Sequence, residues 1–232
     1  MAEVSFQREI ASLRLRDGDT FYGEGILAVT KALLQSGVAY VGGYQGAPVS
    51  HLLDVLVQSE DLLCELGIHL ETCTNEAAAA AMLGASINYP LRGAVTWKSI
   101  VGTNVAADAL SNLASPGVLG GALIVVGEDY GEGASVDSRA HARHGPQVVA
   151  VAGRSAPRLA SPGARRRGEL RASEASNTPV ILELRIRACH VYGSFPAKTN
   201  VAAAYSTRHR LARRRIQIRT AEPSARYLPA GS

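Results

Sequence analysis

A single glutamate, Glu76, is singled out by its position in HLETCTNEAAAAAML, residues 69–83. An apolar segment ends there in a short polar sequence, and a run of alanines from Ala77 to Ala81 follows. A partly buried carboxyl group beside such small side chains could hydrogen-bond a ring nitrogen of a heterocyclic cofactor. The same position also suits a glutamate that merely complements the dipole at the start of a helix. The local residues leave both interpretations open.

Other chemically capable side chains are spread along the chain. His51, His69 and His190 are far apart in sequence, which is typical of surface or packing histidines rather than a catalytic set. Cys73 lies near Glu76, but an isolated cysteine more often packs as a small apolar residue. With three cysteines and no C-x-x-C spacing, we expect no metal ligand set, iron–sulfur site or disulfide framework in this chain. Neither G-x-G-x-x-G nor GxxxxGK[ST] is present, which disfavours a nicotinamide-binding domain.

Strand and helix patterns alternate between about Asp19 and Asp129. Apolar strands are predicted at VAYVGGYQG, GIHLETC, RGAVTWKS and GALIVVGED, and later at PVILELRIR. Helices are predicted at GEGILAVTKALLQSG, PVSHLLDVLVQSEDLL, NEAAAAAMLGASIN and NVAADALSNLAS, the last three begun by Pro48, by Asn75, and by Thr103 or Asn104. This alternation predicts an α/β fold, a Rossmann-like parallel sheet with helices on both faces.

Four loops are expected at the carboxyl ends of these strands, where such sheets bind ligands. They span residues 43–48, 72–76, 98–104 and 127–135, and they are rich in Gly, Asn, Glu and Lys. These residues suit a small-molecule site. The alternative is that the glycines serve only the tight turns between strands and helices.

The regular pattern breaks in two Arg-rich regions. We divide the chain into an N-terminal segment (1–18), the α/β domain (19–136), an irregular or disordered insert (137–171), the last strand region of the same domain (172–200) and an irregular tail (201–232). The insert and the tail contain many Arg but no Lys, which is typical of GC-rich coding DNA translated out of frame. We therefore predict shifts of the reading frame near residues 136, 172 and 200. The alternative is an Arg-rich arm that binds RNA.

The composition sets broad bounds on the class of protein. The 232 residues are 47% hydrophobic and 19% charged, which suits one large α/β domain with a tail. Aromatic residues make up 5%, too few for a surface that stacks single-stranded nucleic acid. There is no apolar run of about 18 residues and no secretory signal, so we expect a cytoplasmic protein with no membrane segment.

Several segments together resemble the indolepyruvate ferredoxin oxidoreductase family, in particular its long fused proteobacterial form. They are YQGAPVSHLLD, HLETCTNEAAAAAMLGASINYPLRGAVTWKSIVGTNVAADALSNLAS, GGALIVVGEDYGEG and SEASNTPVILELRIRACHVYGSF, within about residues 20–136 and 172–198. The resemblance implies oxidative decarboxylation of aryl-2-oxoacids to aryl-acyl-CoA with thiamine diphosphate, and electron transfer through iron–sulfur clusters to ferredoxin. The chain is similar to the pyrimidine-binding domain of that family.

The resemblance also implies residue roles. Glu76 matches the glutamate that bonds the aminopyrimidine ring and favours its imino tautomer. The sequence YQGAPVS matches a loop that related oxidoreductases write as YPxTPS. The candidate cofactor-binding residues of this loop are therefore Tyr44, Gly46, Ala47 and Pro48. Ala47 occupies the position of the Thr near the substrate carboxylate, which puts a substrate role for this residue in doubt.

Two further candidates lie in WKSIVGTN. Lys98 and Asn104 are expected to contact the substrate or the edge of the cofactor, and Lys98 could offset a carboxylate charge. A solvated lysine is the equal alternative.

The resemblance places several parts of the enzyme outside these residues. The Gly-Asp-Gly…Asn motif that binds diphosphate and Mg²⁺ in thiamine enzymes is not in the chain. We therefore expect separate diphosphate-binding and acceptor domains or subunits, an iron–sulfur cluster and CoA in the full enzyme, and a homodimer. The expected partners are an aryl-2-oxoacid and ferredoxin, without membrane or nucleic acid. Two rival functions are a non-catalytic remnant with an Arg-rich nucleic-acid-binding or disordered tail, and a decarboxylating enzyme that uses no ferredoxin.

Overall fold

The computed structural model of the chain describes residues 6–128, 149–152 and 162–205. Its strands are β1 (Thr20–Glu24), β2 (Tyr40–Gly43), β3 (His69–Thr72), β4 (Gly93–Lys98), β5 (Ala122–Glu128), β6 (Val149–Ala152), β7 (Val180–Arg185) and β8 (Tyr192–Pro196). Its helices are α1 (Gln7–Leu13), α2 (Gly25–Leu34), α3 (Ser50–Val57), α4 (Glu60–Leu66), α5 (Glu76–Met82), α6 (Ala85–Asn88), α7 (Ser99–Val105), α8 (Ala107–Ala114), α9 (Pro162–Ser176) and α10 (Ile186–His190).

Six of these strands form one parallel sheet in the order β3-β2-β4-β5-β7-β6. Tyr40 pairs in register with His69 on one side and Gly93 on the other, and Gly93 pairs in turn with Ala122. All strands of the sheet run parallel, so their carboxyl ends lie along one edge. Each strand predicted from the sequence is present, and the predicted parallel α/β fold is confirmed.

Apolar side chains alternate between the two faces of this sheet and bury both. On one face they pack against α2, α3 and α4, and on the other against α5 and α8. The first face takes Ala94, Leu123, Val125 and Leu182; the second takes Val95, Trp97, Ile124 and Val126. A strand buried on both faces must be apolar throughout, which explains why β5 is buried at every position.

A second sheet of two strands was not predicted. It joins β1 to β8 in antiparallel register from Thr20↔Pro196 to Glu24↔Tyr192. Phe21 and Phe195 stack between these strands with their ring centroids 4.8 Å apart. The pairing brings the start and the end of the described chain together.

Buried Lys31 ties the same two regions to α2. Its Nζ donates to the carbonyl oxygens of Leu13 (2.9 Å) and Leu15 (2.6 Å) and to Oδ1 of Asn200 (2.7 Å). Burial lowers the pKa of Lys31 to about 8, against the opposite effect of two nearby aspartates. Three acceptors therefore replace the water that this ammonium loses on folding.

Several predicted helix starts need correction. The helix predicted at PVSHLLDVLVQSEDLL is two helices, α3 and α4, and Val49 rather than Pro48 precedes the first of them. The cap predicted at Thr103 or Asn104 is wrong, because α7 begins directly after β4 and contains both residues. The cap at Asn75 is confirmed, since its side chain accepts the N–H of Ala78 at 2.8 Å.

The expected irregular insert also differs from the structure. Within residues 137–171, β6 pairs in parallel with β7, and α9 begins at Pro162. The sequence of α9, PGARRRGELRASEAS, is rich in Ala, Arg and Glu, which favour helices, and proline suits a first turn. Residues 137–148 and 153–161 lie outside the described residues, as do residues 206–232 of the predicted tail.

None of the helices in the described ranges has the length and apolar character needed to span a bilayer.

Candidate functional site

Glu76 lies at the first position of α5, beyond the carboxyl end of β3. Its side chain is buried, with 6% of the residue exposed. In the part of the chain that the structure describes, no group donates a hydrogen bond to its carboxylate. Its acceptor oxygens are therefore left for a ligand that supplies a donor.

The helix α7 approaches Glu76 at a glycine. A Cβ atom built on Gly102 would lie 3.0 Å from both Cγ and Oε1 of Glu76 and 2.5 Å from Cδ1 of Trp97. Trp97 is fully buried and donates from Nε1 to Oγ1 of Thr103 at 3.2 Å. Gly102 thus permits the close contact between α5 and α7 that encloses one side of the carboxylate.

The alanines of α5 serve the same close packing. Ala79 and Ala80 are fully buried, and Gly42 of β2 faces Met82 of the same helix. The small side chains let α5 lie close to the sheet, as predicted for the run after Glu76. The surroundings of Glu76 fit an aminopyrimidine ring. Such a ring is planar and carries N–H donors, and the carboxylate of Glu76 receives no hydrogen bond from the described residues.

The predicted loop at residues 43–48 packs on the end of the neighbouring strand. The N–H of Tyr44 donates to the carbonyl oxygen of Thr96 at 3.0 Å. Gly46 lies against Lys98, since a Cβ at Gly46 would be 2.6 Å from Cβ of Lys98. Pro48 is buried beside Gly127 of β5. The loop therefore spans the carboxyl ends of β4 and β5, as its sequence position suggested.

The exposure of the loop residues divides them into two groups. Tyr44 and Ala47 are exposed, whereas Pro48 is buried and Gly46 is half-buried. Tyr44 and Ala47 could therefore contact a ligand that approaches from solvent, whereas Gly46 and Pro48 shape the loop.

Lys98 and Asn104 lie near opposite ends of α7. Lys98 is half-buried and precedes the helix, beside Gly46. Asn104 is exposed near the far end of the same helix. The segment predicted as a loop at 98–104 is therefore mostly helical.

Cys73 follows β3 with its N–H donating to the carbonyl oxygen of Gly43 at 2.8 Å. Burial raises the pKa of its thiol, which opposes the formation of a nucleophilic thiolate. The interpretation of Cys73 as a packing residue is consistent with this environment.

Two neighbouring glutamates, Glu128 at the end of β5 and Glu183 within β7, were not predicted from the sequence. Burial and a hydrogen bond with Glu128 raise the pKa of Glu183 to about 7. The hydroxyl of Ser99, at the start of α7, donates to Oε1 of Glu128 at 3.3 Å. The pairing of β5 with β7 brings the two glutamates together, and no local pattern indicates that pairing.

Two histidines that are distant in sequence also converge. Nδ1 of His51 and Nδ1 of His190 lie 3.3 and 3.8 Å from Oε2 of Glu24. His51 and His190, which are far apart in sequence, therefore meet at Glu24, whereas His69 pairs with Glu71 at 3.5 Å. No local spacing could reveal the cluster, because its three residues come from separate elements.

Two surface clefts lie away from Glu76. One, of ≈ 260 Å³, is at the amino ends of the strands and is lined by Ala39, Arg92 and Glu174 among others. The second, of ≈ 480 Å³, lies between α4 and β3. Neither is lined by a predicted site residue, so we place the site by the chemistry of Glu76.

Comparison with known proteins shows relatives of one kind. Over 117 residues the chain is 30% identical to the indolepyruvate oxidoreductase subunit IorA of Methanothermobacter thermautotrophicus, a match to 50% of this chain and 18% of that protein. Over 102 residues it is 33% identical to IorA of Thermococcus kodakarensis, a match to 44% of this chain and 15% of that protein. The chain is similar to indolepyruvate oxidoreductase subunits. The resemblance predicted from the sequence is thereby confirmed.

The similarity to IorA covers only part of the relatives. IorA of Archaeoglobus fulgidus is 31% identical over 119 residues, which is 50% of this chain and 19% of that protein. The chain thus matches less than a fifth of the length of each of these three IorA proteins. No protein-family model matches the chain.

Solved structures share the fold. A 2-oxoglutarate:ferredoxin oxidoreductase from Magnetococcus marinus superposes with a TM-score of 0.55 at 16% identity, over 82% of this chain and 35% of that one. A thiamine diphosphate-dependent 4-hydroxybenzoylformate decarboxylase from Rhodococcus jostii gives 0.54 at 14% identity, over 76% and 32%. At these identities the comparison establishes the α/β fold and leaves the reaction open.

Proposed function

We propose that this chain forms the pyrimidine-binding part of a thiamine diphosphate-dependent 2-oxoacid ferredoxin oxidoreductase that acts on indolepyruvate or another aryl-2-oxoacid. The observation that carries the proposal is the buried carboxylate of Glu76, which has no hydrogen-bond donor among the described residues. Similarity to IorA over half of the chain supports the reaction class. Likeness to a thiamine diphosphate-dependent decarboxylase supports the cofactor.

Glu76 would accept a hydrogen bond from the aminopyrimidine ring of the cofactor. Thiamine diphosphate, when bound, supplies an electron sink for decarboxylation of a 2-oxoacid. Enclosure by Gly102 and Trp97 keeps water from one side of the carboxylate, which strengthens its hydrogen bonds. Glu76 would then hold the ring in one orientation and share a proton with it.

The loop at 43–48 and the start of α7 would flank the cofactor and the substrate. Tyr44, Gly46, Ala47 and Pro48 would line the cofactor side, because this loop spans the ends of β4 and β5. Lys98, whose Cβ lies against Gly46, would face a substrate carboxylate. Asn104 is a weaker candidate, since it is exposed near the end of α7.

The remaining parts of the reaction would come from other domains or subunits. We propose that Mg²⁺ and the cofactor diphosphate are bound by a second domain, and that an iron–sulfur cluster, CoA and ferredoxin serve the complete enzyme. The match to less than a fifth of each IorA supports this division. A homodimer and a cytoplasmic location complete the proposal.

Calorimetry tests the proposal with the complementary region supplied. The chain is mixed with the part of Thermococcus kodakarensis IorA that lies outside the matched segment, and the mixture is titrated with thiamine diphosphate and Mg²⁺. We expect saturable binding that falls at least tenfold with Glu76→Gln and is unchanged with Glu71→Gln, an exposed glutamate nearby. Equal binding by wild type and Glu76→Gln would overturn the role of Glu76.

The predicted frameshifts and domain limits stay predictions. Sequencing the coding DNA from codon 130 past the stop codon tests them. A missing or extra base near codons 136, 172 and 200 would support the proposal of a longer oxidoreductase. An intact frame would favour the remnant, whose Arg-rich tail could be tested by salt-dependent RNA binding before and after removal of residues 207–232.

A further inference from the structure

The cluster of Glu24, His51 and His190 joins three elements. Glu24 ends β1, His51 is the second residue of α3, and His190 ends α10. One ligand atom from each residue lies within 4.8 Å of the other two. The proposed function uses none of these residues.

Backbone contacts hold two of the three residues in place. The N–H of Gly25 donates to the carbonyl oxygen of Val191 at 3.0 Å, so the residues after Glu24 and His190 are hydrogen-bonded. A Cβ at Gly25 would collide with the carbonyl oxygen of Ala188 in α10. The position therefore requires glycine, and the close approach of α2 and α10 fixes Glu24 beside His190.

Ring contacts orient the imidazole of His51. It lies edge-on to Phe6, with the ring centroids 5.4 Å apart, and to His190, with the centroids 6.0 Å apart and the planes at 82°. Both rings thus present Nδ1 toward the same oxygen, Oε2 of Glu24. At 3.8 Å, His190 is too distant for a direct hydrogen bond to that oxygen.

We propose that Glu24, His51 and His190 bind a divalent transition-metal ion such as Zn²⁺. Two imidazole nitrogens and one carboxylate form a donor set that these ions prefer. In a tetrahedral zinc site with bonds of 2.0–2.1 Å, ligand atoms lie roughly 3.3 Å apart. The 3.3 and 3.8 Å separations to Oε2 are close to this value, and all three ligand atoms lie within 4.8 Å of one another, so side-chain rotations could close the site around an ion.

The exposure of the cluster favours an exchangeable ion with an open coordination position. The side chain of Glu24 is 17% exposed, and those of His51 and His190 are 40% and 45% exposed. Three protein ligands leave a fourth position for water or for another molecule.

Titration of the full chain with Zn²⁺ tests this site. The chain is freed of metal with a chelator and carries Cys64→Ser and Cys73→Ser, which removes two accessible thiols. At pH 7.5 we expect calorimetry to show a site that His51→Ala or His190→Ala weakens at least tenfold. The matched control is His69→Ala, because His69 faces a single carboxylate and should not change this affinity.

Cobalt provides the second readout. Co²⁺ at this site should give the intense visible absorption of a four-coordinate ion with nitrogen and oxygen ligands, and Glu24→Gln should reduce it. Circular dichroism of each variant controls for folding. Zinc affinity that is unchanged in both histidine variants, or Co²⁺ absorption that is insensitive to Glu24→Gln, would overturn the proposal. Neither result bears on Glu76, so this site and the proposed function fail independently.

Discussion

Glu76 combines a buried residue with a carboxylate to which no described residue donates a hydrogen bond. Its acceptor oxygens are therefore left for a ligand. The sequence predicted the position and the cap at Asn75, because both depend on local helix chemistry. The burial depends on Gly102, which approaches from another helix, so local pattern could not reveal it.

Replacement of Glu76 should have little effect on stability. We expect Glu76→Gln to change the free energy of unfolding by less than about 0.5 kcal/mol, because no described residue donates to the carboxylate and the amide keeps the same shape beside Gly102. Urea denaturation measures the change, with exposed Glu71→Gln as the control. A loss of stability in Glu76→Gln would indicate that its carboxylate has partners in the folded chain.

Gly102 should be intolerant of a side chain. Gly102→Ala places a methyl group 2.5 Å from Trp97 and 3.0 Å from Glu76, and we expect it to cost about 1–3 kcal/mol of stability through overpacking. Gly168→Ala is the matched control, since a Cβ there meets nothing within 4 Å and should stabilise α9 by about 0.5–1 kcal/mol. Equal effects of the two substitutions in thermal denaturation would contradict the close contact of α5 with α7.

At the scale of elements, the predictable parts are those whose pattern is local. Five of the six strands of the parallel sheet lie in apolar runs between turns and were predicted, whereas β6 lies in the segment that was expected to be irregular. The pairing of β1 with β8 joins residues near opposite ends of the described chain, so neither strand signals its partner. The helix α9 was missed because its Arg-rich composition was interpreted as irregular, although Ala, Arg and Glu favour a helix.

The docking of α9 can be tested at Ser173. Its fully buried hydroxyl accepts the N–H of Ala122 at 3.0 Å and donates to the carbonyl oxygen of Thr178 at 2.7 Å. We expect Ser173→Ala to lower the free energy of unfolding by about 1–3 kcal/mol, because it leaves buried backbone groups without these partners. Exposed Ser176→Ala is the control. If both variants unfold at the same urea concentration as wild type, α9 does not pack on β5 as described.

At the scale of the whole molecule, stability should depend on pH through Glu183. Its pKa is raised from 4.5 to about 7 in the folded chain by burial and by Glu128. Between those values the folded chain keeps a proton that the unfolded chain has lost, so stability should fall as the pH rises from 4.5 to 7 and then level off. Glu183→Gln should reduce this slope when the free energy of unfolding is measured by urea at several pH values. An unchanged slope would contradict the raised pKa of Glu183.

Lys31 should change the free energy of unfolding at a higher pH than Glu183 does, so the two contributions can be measured separately. Its pKa falls from 10.5 to about 8 on folding, so the folded chain releases this proton first as the pH rises. The contribution of Lys31 to the free energy of unfolding should therefore increase as the pH rises from 8 to 10.5. Urea denaturation over that range measures it, and a flat profile would contradict the burial of the ammonium.

Saturation-transfer NMR of thiamine with the full chain is the most direct test of the pyrimidine site. Because the chain is proposed to bind only the pyrimidine end, saturation should reach the pyrimidine protons of thiamine more strongly than its thiazolium protons. It should persist in Glu71→Gln and disappear in Glu76→Gln. Equal transfer in wild type and Glu76→Gln, or no transfer to the pyrimidine protons of wild type, would contradict the role of Glu76 as the group that holds the cofactor.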